Sequence, residues 1–80
     1  MKTIVYAARA ERALEKMPPD ARDRVEGGLE RYALTGHGDV KAMQGVPLLR
    51  MRIGHYRVLF TETLEILDVA DIGPRGGIYR

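Results

Sequence analysis

The run LLRMRIGHYRVLF at residues 48–60 constrains the fold more than any other stretch of the chain. Its central Gly54-His55 dipeptide suits a two-residue turn, because glycine at the first central position is typical of a type II′ turn. A turn at this point fixes which residues of the two flanking strands face each other, and it places Arg52 opposite Arg57. The run therefore predicts a β-hairpin with one defined register.

This register sorts the side chains of the hairpin into two faces, because successive residues of a strand point to opposite sides of a sheet. The first face is apolar or aromatic and holds Leu49, Met51, Ile53, Tyr56, Val58 and Phe60. The second face holds Arg50, Arg52, Arg57, Leu59 and Thr61. A slip by one residue would mix the two sets, so their clean separation supports the register.

The arginines of the second face include two that would stand directly opposite each other. Like charges in that position destabilise a sheet by a few tenths to about 1 kcal/mol. The stretch from Val40 to Thr61 contains no acidic residue, and Lys41 adds a further positive charge. Arginine remains protonated at physiological pH and presents a planar set of donors that suits phosphate. We therefore predict a phosphate-binding face; a solvated surface, or pairing with an acid of the next strand such as Asp68, is the alternative.

The first half of the chain predicts a strand and two helices. KTIVYAA, at residues 2–8, is typical of a short strand, and the apolar residues that follow it up to Met17 are spaced like one face of a helix. Pro18-Pro19 ends that helix and begins a second one, since proline fits only the first turn of a helix. Gly36 suits the C-cap of the second helix. The adjacent Gly27-Gly28 inside this helix indicates close packing of the two helices or a kink.

After the helices we expect a loop from Asp39 to Pro47, the hairpin, a further strand from Glu65 to Ile72, and a glycine-rich tail. The resulting order, β-α-α-β-β-β, predicts a single α+β domain over residues 1–80. The N-terminal strand and a two-helix hairpin would pack on one face of a small antiparallel sheet.

Composition excludes several classes of protein. The chain has no cysteine, so it can form neither a disulfide framework nor a thiolate metal site, and its two histidines are too few for a typical zinc site. No apolar run approaches the roughly 18 residues of a membrane span, and the N-terminus lacks the apolar core of a signal peptide. We expect a cytoplasmic protein that binds no membrane and needs no metal or cofactor.

Three motifs occur together in the second half of the chain: K-x-x-x-G at residues 41–45, R-x-R-x-G-x-Y-R-V-L-F at residues 50–60 and I-G-x-R-x-x-I-Y at residues 72–79. With the strand and helical hairpin before them, they resemble the RelE/ParE superfamily of bacterial and archaeal toxin–antitoxin pairs. The resemblance covers nearly the whole chain and is closest to the RelE-like mRNA interferases. It implies the RelE fold.

The resemblance also implies an activity and partners. RelE-like toxins are metal-independent endoribonucleases that cut messenger RNA in the ribosomal A site and so inhibit translation. The cut follows attack of a 2′-hydroxyl on the neighbouring phosphate, which leaves a 2′,3′-cyclic phosphate and a 5′-hydroxyl. The implied partners are a cognate antitoxin in a hetero-oligomeric complex and, for the free toxin, the ribosome and messenger RNA.

The family motifs imply roles for particular residues. Arg57 and Arg75 would stabilise charge on the phosphoryl oxygens, and Tyr79 would stack on a base or carry a proton, unless it simply packs on the core. The residues expected to bind RNA are Arg50, Arg52, Lys41 and His55. His55 is included because its imidazole is the group near the arginines that titrates around neutrality.

Two other functions are compatible with the same motifs. A ParE-like toxin shares the fold but poisons DNA gyrase without cutting RNA, and a catalytically inactive relative would bind only its antitoxin. The presence of the whole set, namely Arg50, Arg52, Arg57, Arg75 and Tyr79, favours the nuclease, because a gyrase inhibitor has no need of it.

Overall fold

The computed structural model of the protein describes residues 1–74, which form two helices and five strands. The helices are α1 (Ala8–Lys16) and α2 (Pro19–Thr35). The strands are β1 (Thr3–Tyr6), β2 (Asp39–Ala42), β3 (Leu49–Ile53), β4 (Tyr56–Glu62) and β5 (Ile66–Pro74). The predicted α+β order is confirmed, with β2 as an additional strand. The prediction of a loop throughout residues 39–47 is wrong for the first four of those residues.

The two helices begin and end where the prolines and glycine predict. Pro19 is the first residue of α2, a position at which its missing N–H costs no hydrogen bond. Helix α2 ends at Gly36, whose φ of 78° is left-handed and whose N–H donates to the carbonyl oxygen of Tyr32 at 2.8 Å. Neither helix of the described residues is long and apolar enough to cross a membrane.

The five strands form one sheet in the order β1-β5-β4-β3-β2. The pairs β2–β3, β3–β4 and β4–β5 are antiparallel, but β1 runs parallel to β5. The sheet is therefore mixed rather than wholly antiparallel. A parallel pair requires a long connection, and the two helices and three intervening strands between β1 and β5 provide it.

One face of the sheet packs against both helices. The buried residues of this core are Ala10, Leu14, Met17, Val25, Leu29, Ala33, Met51, Val58, Phe60, Leu67, Val69 and Ile72. The members contributed by β3 and β4 all belong to the predicted apolar face of the hairpin, and Leu49, Ile53 and Tyr56 pack around them, partly buried. The hairpin's arginines therefore lie on the opposite face of the sheet, away from the helices.

The two adjacent glycines of α2 have different surroundings. A Cβ atom at Gly28 would lie 2.8 Å from Cδ1 and 3.2 Å from Cγ2 of Ile53, whereas a Cβ atom at Gly27 would meet nothing within 4 Å. Gly28 thus lets α2 approach β3 closely at the hairpin. The predicted reason, close packing between the two helices, is wrong because the close neighbour is a strand.

These surroundings predict opposite outcomes for the same substitution at neighbouring positions. Gly27→Ala should raise the free energy of unfolding by about 0.8–1 kcal/mol, the difference in helix propensity between the two residues. Gly28→Ala gains the same propensity but overpacks against the β-branched Ile53, and overpacking costs about 1–3 kcal/mol. Urea denaturation of the full chain measures both variants, and equal stabilities would contradict the close contact between α2 and β3.

A polar network ties the N-terminus, α2 and the end of β4 together. Glu62 accepts hydrogen bonds from the Lys2 ammonium and, through Oε2, from the Tyr32 hydroxyl at 2.6 Å. Burial alone would raise the pKa of Glu62, but the hydrogen bonds from Lys2 and Tyr32 and the charge of Lys2 outweigh it and lower that pKa. Burial, together with the bond to Glu62 and its negative charge, raises the pKa of Tyr32 to about 12.

The lowered pKa of Glu62 predicts a pH-dependent contribution to stability. The unfolded chain takes up a proton at this carboxyl before the folded chain does, so the contribution is complete at neutral pH and is lost as the pH falls below about 4.5, the ordinary value. Glu62→Gln should lower the free energy of unfolding by about 1–3 kcal/mol at pH 7. The difference in this free energy from the unsubstituted protein should become smaller towards pH 3.

Chemical denaturation of the full chain between pH 3 and pH 7 tests this expectation. Glu65→Gln is the matched control, because Glu65 is exposed and its side chain is not part of the network. If the difference in the free energy of unfolding between the Glu62→Gln variant and the unsubstituted protein stays constant with pH, the carboxylate of Glu62 is not its source.

Candidate functional site

The β3–β4 hairpin has the register that its sequence predicts. Arg52 faces Arg57, and Arg50 faces Leu59. Gly54 has a φ of 58°, whereas His55 does not have a positive φ. A type I′ turn needs positive φ at both central residues, so this combination fits the predicted type II′ turn.

Strand β2 extends the arginine face by two charged residues. Asp39 is the partner of Arg52, and Lys41 is the partner of Arg50, across the antiparallel β2–β3 pair. These residues and Arg57 together line a cavity of about 180 Å³, which we call the phosphate cavity. It contains four cationic side chains and one carboxylate, so it has a strong excess of positive charge at the surface of the sheet.

The side chains of the phosphate cavity differ in exposure. Arg50 and Arg57 are half-buried, whereas Arg52, Lys41 and Asp39 are exposed. Leu59, next to Arg50 on the same face, is only 8% exposed although it is not part of the helix-side core. The aliphatic stems of arginine and lysine can cover such an apolar residue while their charged ends remain in water. The cavity therefore has a partly apolar floor and a charged rim.

Asp39 is the member of the cavity that the sequence interpretation missed. That interpretation considered the acid-free stretch from Val40 to Thr61, which begins one residue later, and assigned residues 39–47 to a loop. The sequence signal for a strand here was the alternation of charged and apolar residues in Asp39-Val40-Lys41-Ala42. Val40 packs on the core, and its charged neighbours lie on the other face of the sheet. Four residues are too few for this alternation to predict a strand on its own.

Asp68 does not stand opposite the arginines of the hairpin, the position considered for it as an alternative. Asp68 faces Thr61 on one side and Val5 on the other, so the alternative in which it stands opposite the arginines is wrong. A register shift between Leu59 and Phe60 places Asp71 opposite Leu59 instead. The Asp71 carboxylate lies 3.6 Å from Nη1 of Arg9 in α1 and accepts a 2.9 Å hydrogen bond from the backbone N–H of Ile72.

The remaining predicted site residues fall into two groups. His55 occupies the exposed hairpin turn and does not line the phosphate cavity. Arg75 and Tyr79 lie outside the described residues, and their roles remain predictions. Within residues 1–74, no three His, Asp or Glu side chains are grouped so that they could hold a metal ion together.

The arrangement of charges defines what the phosphate cavity can do chemically. Guanidinium groups bind phosphate oxygens through paired hydrogen bonds and stabilise negative charge that develops on them. They cannot accept a proton, because arginine is not deprotonated in proteins. The carboxylate of Asp39 can accept one. The cavity thus combines guanidinium groups, which suit a phosphate, with a carboxylate that can accept a proton.

Solved structures share this fold over nearly the whole of both chains. A chain of the archaeal RelE–RelB complex from Pyrococcus horikoshii OT3 is 20% identical with a TM-score of 0.78, and the match covers 95% of this chain and 97% of that one. A chain of the RelB–RelE antitoxin–toxin complex from Methanococcus jannaschii is 21% identical with a TM-score of 0.75 and 94% coverage of both chains.

The intact RelBE toxin–antitoxin complex of E. coli contains a further such chain, 14% identical with a TM-score of 0.77, for which the match covers 92% of this chain and 96% of that one. No protein-family model and no curated protein matches the sequence. The protein therefore has the RelE fold, and the resemblance seen in the sequence motifs is confirmed at that level.

Proposed function

We propose that this protein is the toxin of a type II toxin–antitoxin pair and that it cleaves messenger RNA on the ribosome. The observation that carries the proposal is the phosphate cavity, in which Arg50, Arg52, Arg57 and Lys41 meet Asp39 on a RelE fold. The three solved structures compared above are toxin–antitoxin complexes. By analogy with them, we propose an antitoxin as the partner of this chain in a hetero-oligomeric complex.

The cations of the cavity would bind the RNA backbone around the scissile phosphate. Arg52 and Lys41 are exposed at the rim and suit contacts with flanking phosphates, which set the position of the strand without reading its sequence. Arg57 and Arg50 are half-buried, so their charges are less screened by water than those at the rim. We assign Arg57 to the phosphoryl oxygens, where negative charge increases in the transition state.

The proposed reaction is a transesterification within the RNA. The 2′-oxygen loses its proton to a base and forms a bond to the adjacent phosphorus, while the bond from phosphorus to the 5′-oxygen breaks. The 5′-oxygen leaves with a proton from an acid, and the products are a 2′,3′-cyclic phosphate and a 5′-hydroxyl. We assign Asp39 as the base, because it lines the cavity, whereas His55 lies in the exposed turn. Arg75 and Tyr79 remain the proposed further catalytic groups.

A gyrase inhibitor of the ParE type and an inactive antitoxin-binding relative are the alternatives to a nuclease. Either could have this fold, since a fold does not determine a function. The phosphate cavity favours the nuclease, because inhibition by binding alone does not require a proton acceptor among phosphate-binding cations. The experiments below separate the three possibilities.

The first expectation concerns Arg57. Production of the chain without an antitoxin should stop growth and generate translation-dependent cuts within codons, detected by mapping the 5′ ends of cellular messenger RNA. Arg57→Ala should reduce cleavage by about 10²–10³-fold, the usual effect of removing one group that stabilises a developing oxyanion.

Arg12→Ala is the matched control for that variant, since Arg12 is exposed on α1 and does not line the phosphate cavity. The control should cut as the unsubstituted chain does. If the messenger RNA stays intact and DNA breaks trapped by gyrase accumulate, the protein is a gyrase inhibitor and not a nuclease. Normal growth with neither effect would indicate a relative that only binds its antitoxin.

The second expectation concerns Asp39. Asp39→Asn should lower the single-turnover cleavage rate by about 10²–10⁴-fold, because the amide cannot accept the proton of the 2′-hydroxyl. The same variant should bind uncleavable 2′-O-methyl RNA at least as tightly as the unsubstituted protein, since it removes a negative charge from a cationic cavity. Reduced cleavage combined with undiminished binding distinguishes a base from a residue that only holds the RNA.

Asp68→Asn serves as its control, because Asp68 is exposed on the same face of the sheet but lies outside the cavity. This control should change neither the cleavage rate nor its dependence on pH. If the Asp39→Asn variant cleaves RNA as fast as the unsubstituted protein, a group other than Asp39 acts as the base.

A further inference from the structure

We propose that a second groove beside the phosphate cavity binds the nucleotide next to the scissile phosphate. This edge groove lies between α2 and the β2–β3 edge of the sheet and has a volume of about 260 Å³. The residues that line it include Arg31, His37, Asp39, Met51, Arg52 and Ile53. The inference rests on the proposed RNA substrate and adds a base-binding subsite to it.

The edge groove is continuous with the phosphate cavity. Asp39 and Arg52 line both of them, and they face each other across the β2–β3 pair. These two residues therefore form a shared rim at the edge of the sheet. An RNA strand with one phosphate in the cavity would cross this rim to bring its neighbouring nucleotide into the groove.

The far wall of the edge groove carries two nitrogen-rich, exposed side chains. Arg31 lies one turn before the C-terminal end of α2, and His37 follows the Gly36 cap of that helix. Two hydrogen bonds hold this segment: the hydroxyl of Thr35 donates to the carbonyl oxygen of Arg31 at 2.7 Å, and the backbone N–H of His37 donates to Thr35 Oγ1 at 3.1 Å. The backbone that carries the two side chains is thus fixed before any ligand binds.

No ion pair within residues 1–74 neutralises this wall. The ion pairs that Lys2 forms with Glu62 and that Arg9 forms with Asp71 lie at other places in the fold. The guanidinium of Arg31 and the imidazole of His37 are therefore available to an anion or to a flat aromatic ligand.

The floor of the edge groove is apolar and shaped by glycines. Met51 is 1% exposed, and Ile53 is partly buried beside it. Gly28 and Gly38 also border the groove, and neither contributes a side chain that would fill it. A Cβ atom at Gly38 would already lie 3.2 Å from the Tyr32 ring and 3.5 Å from the Met51 sulfur. The partly buried Ile53 is therefore the apolar side chain that the groove can offer to a ligand, with Arg31 and Arg52 among the residues that line the groove around it.

An apolar floor with a histidine and arginines around it suits a nucleotide. Unpaired RNA bases stack on aromatic rings and on guanidinium planes, and their phosphates pair with cations. A phosphate alone would gain nothing from the apolar floor, and an apolar ligand would gain nothing from Arg31. We infer that His37 stacks on a base and that Arg31 contacts the phosphate on the far side of it.

The test compares ligands of increasing length on the full chain. The probes are a methyl ribofuranoside 3,5-bisphosphate, which carries no base to place in the edge groove, and uncleavable 2′-O-methyl dinucleotides and trinucleotides. His37→Ala should weaken binding of the longer probes by about tenfold, the usual loss for one stacked base, and leave the bisphosphate affinity unchanged. His37→Phe should retain the affinity, because it preserves the aromatic face.

Arg31→Ala should likewise weaken only the longer probes and reduce the slope of log affinity against log salt concentration by about 0.7, the contribution of one phosphate contact on a single strand. Arg12→Ala is the control, because Arg12 is exposed and lines neither the phosphate cavity nor the edge groove. It should change neither the affinity for any probe nor the dependence of that affinity on salt. Because Arg31 and His37 are exposed, their substitution should leave the fold intact.

The outcomes separate this inference from the proposed function. If the longer probes bind the Arg31→Ala and His37→Ala variants as tightly as the unsubstituted protein, the proposed subsite is wrong. The proposed nuclease activity is unaffected by that result. An equal loss of affinity for the bisphosphate and for the longer probes would also overturn it. If no probe binds the unsubstituted protein, the inference of a subsite falls, and the cleavage experiment with Arg57→Ala alone decides the proposed nuclease.

Discussion

The register of the β3–β4 hairpin is the constraint on which the other features of this structure depend. It places Met51, Val58 and Phe60 in the core and, on the opposite face, sets Arg52 directly against Arg57. Burial of one large apolar side chain contributes about 1.5–3 kcal/mol, whereas a like-charged pair across two strands costs at most about 1 kcal/mol. The core therefore holds the arginines together against their mutual repulsion.

The chemistry of the candidate site arises where other elements meet this hairpin. Strand β2 brings Asp39 to the rim of the arginine face, and without it the cavity would contain no described carboxylate. On the other side of the same rim, Gly28 allows α2 to pack closely on β3. That contact brings the end of the helix, with Arg31, to the edge of the sheet. One short edge strand thus borders both the phosphate cavity and the edge groove.

Stability and the proposed activity depend on different parts of the molecule. The network around Glu62 joins the N-terminus and α2 to the far end of β4, five residues along the strand from Arg57. The cavity, in contrast, gathers four cations that gain nothing from one another. A local excess of positive charge of this kind is typical of sites that bind an anion.

The sequence by itself determined the hairpin, its faces and the ends of the helices, because a turn, a strand period of two residues and a proline act over a few neighbouring positions. Only the tertiary structure decided that β1 lies parallel to β5, that residues 39–42 form a strand, and that Asp71 rather than Asp68 faces the middle of the arginine-bearing surface. These features depend on contacts between segments distant in the chain and on a register shift within β4–β5. Local sequence patterns carry no information about such contacts.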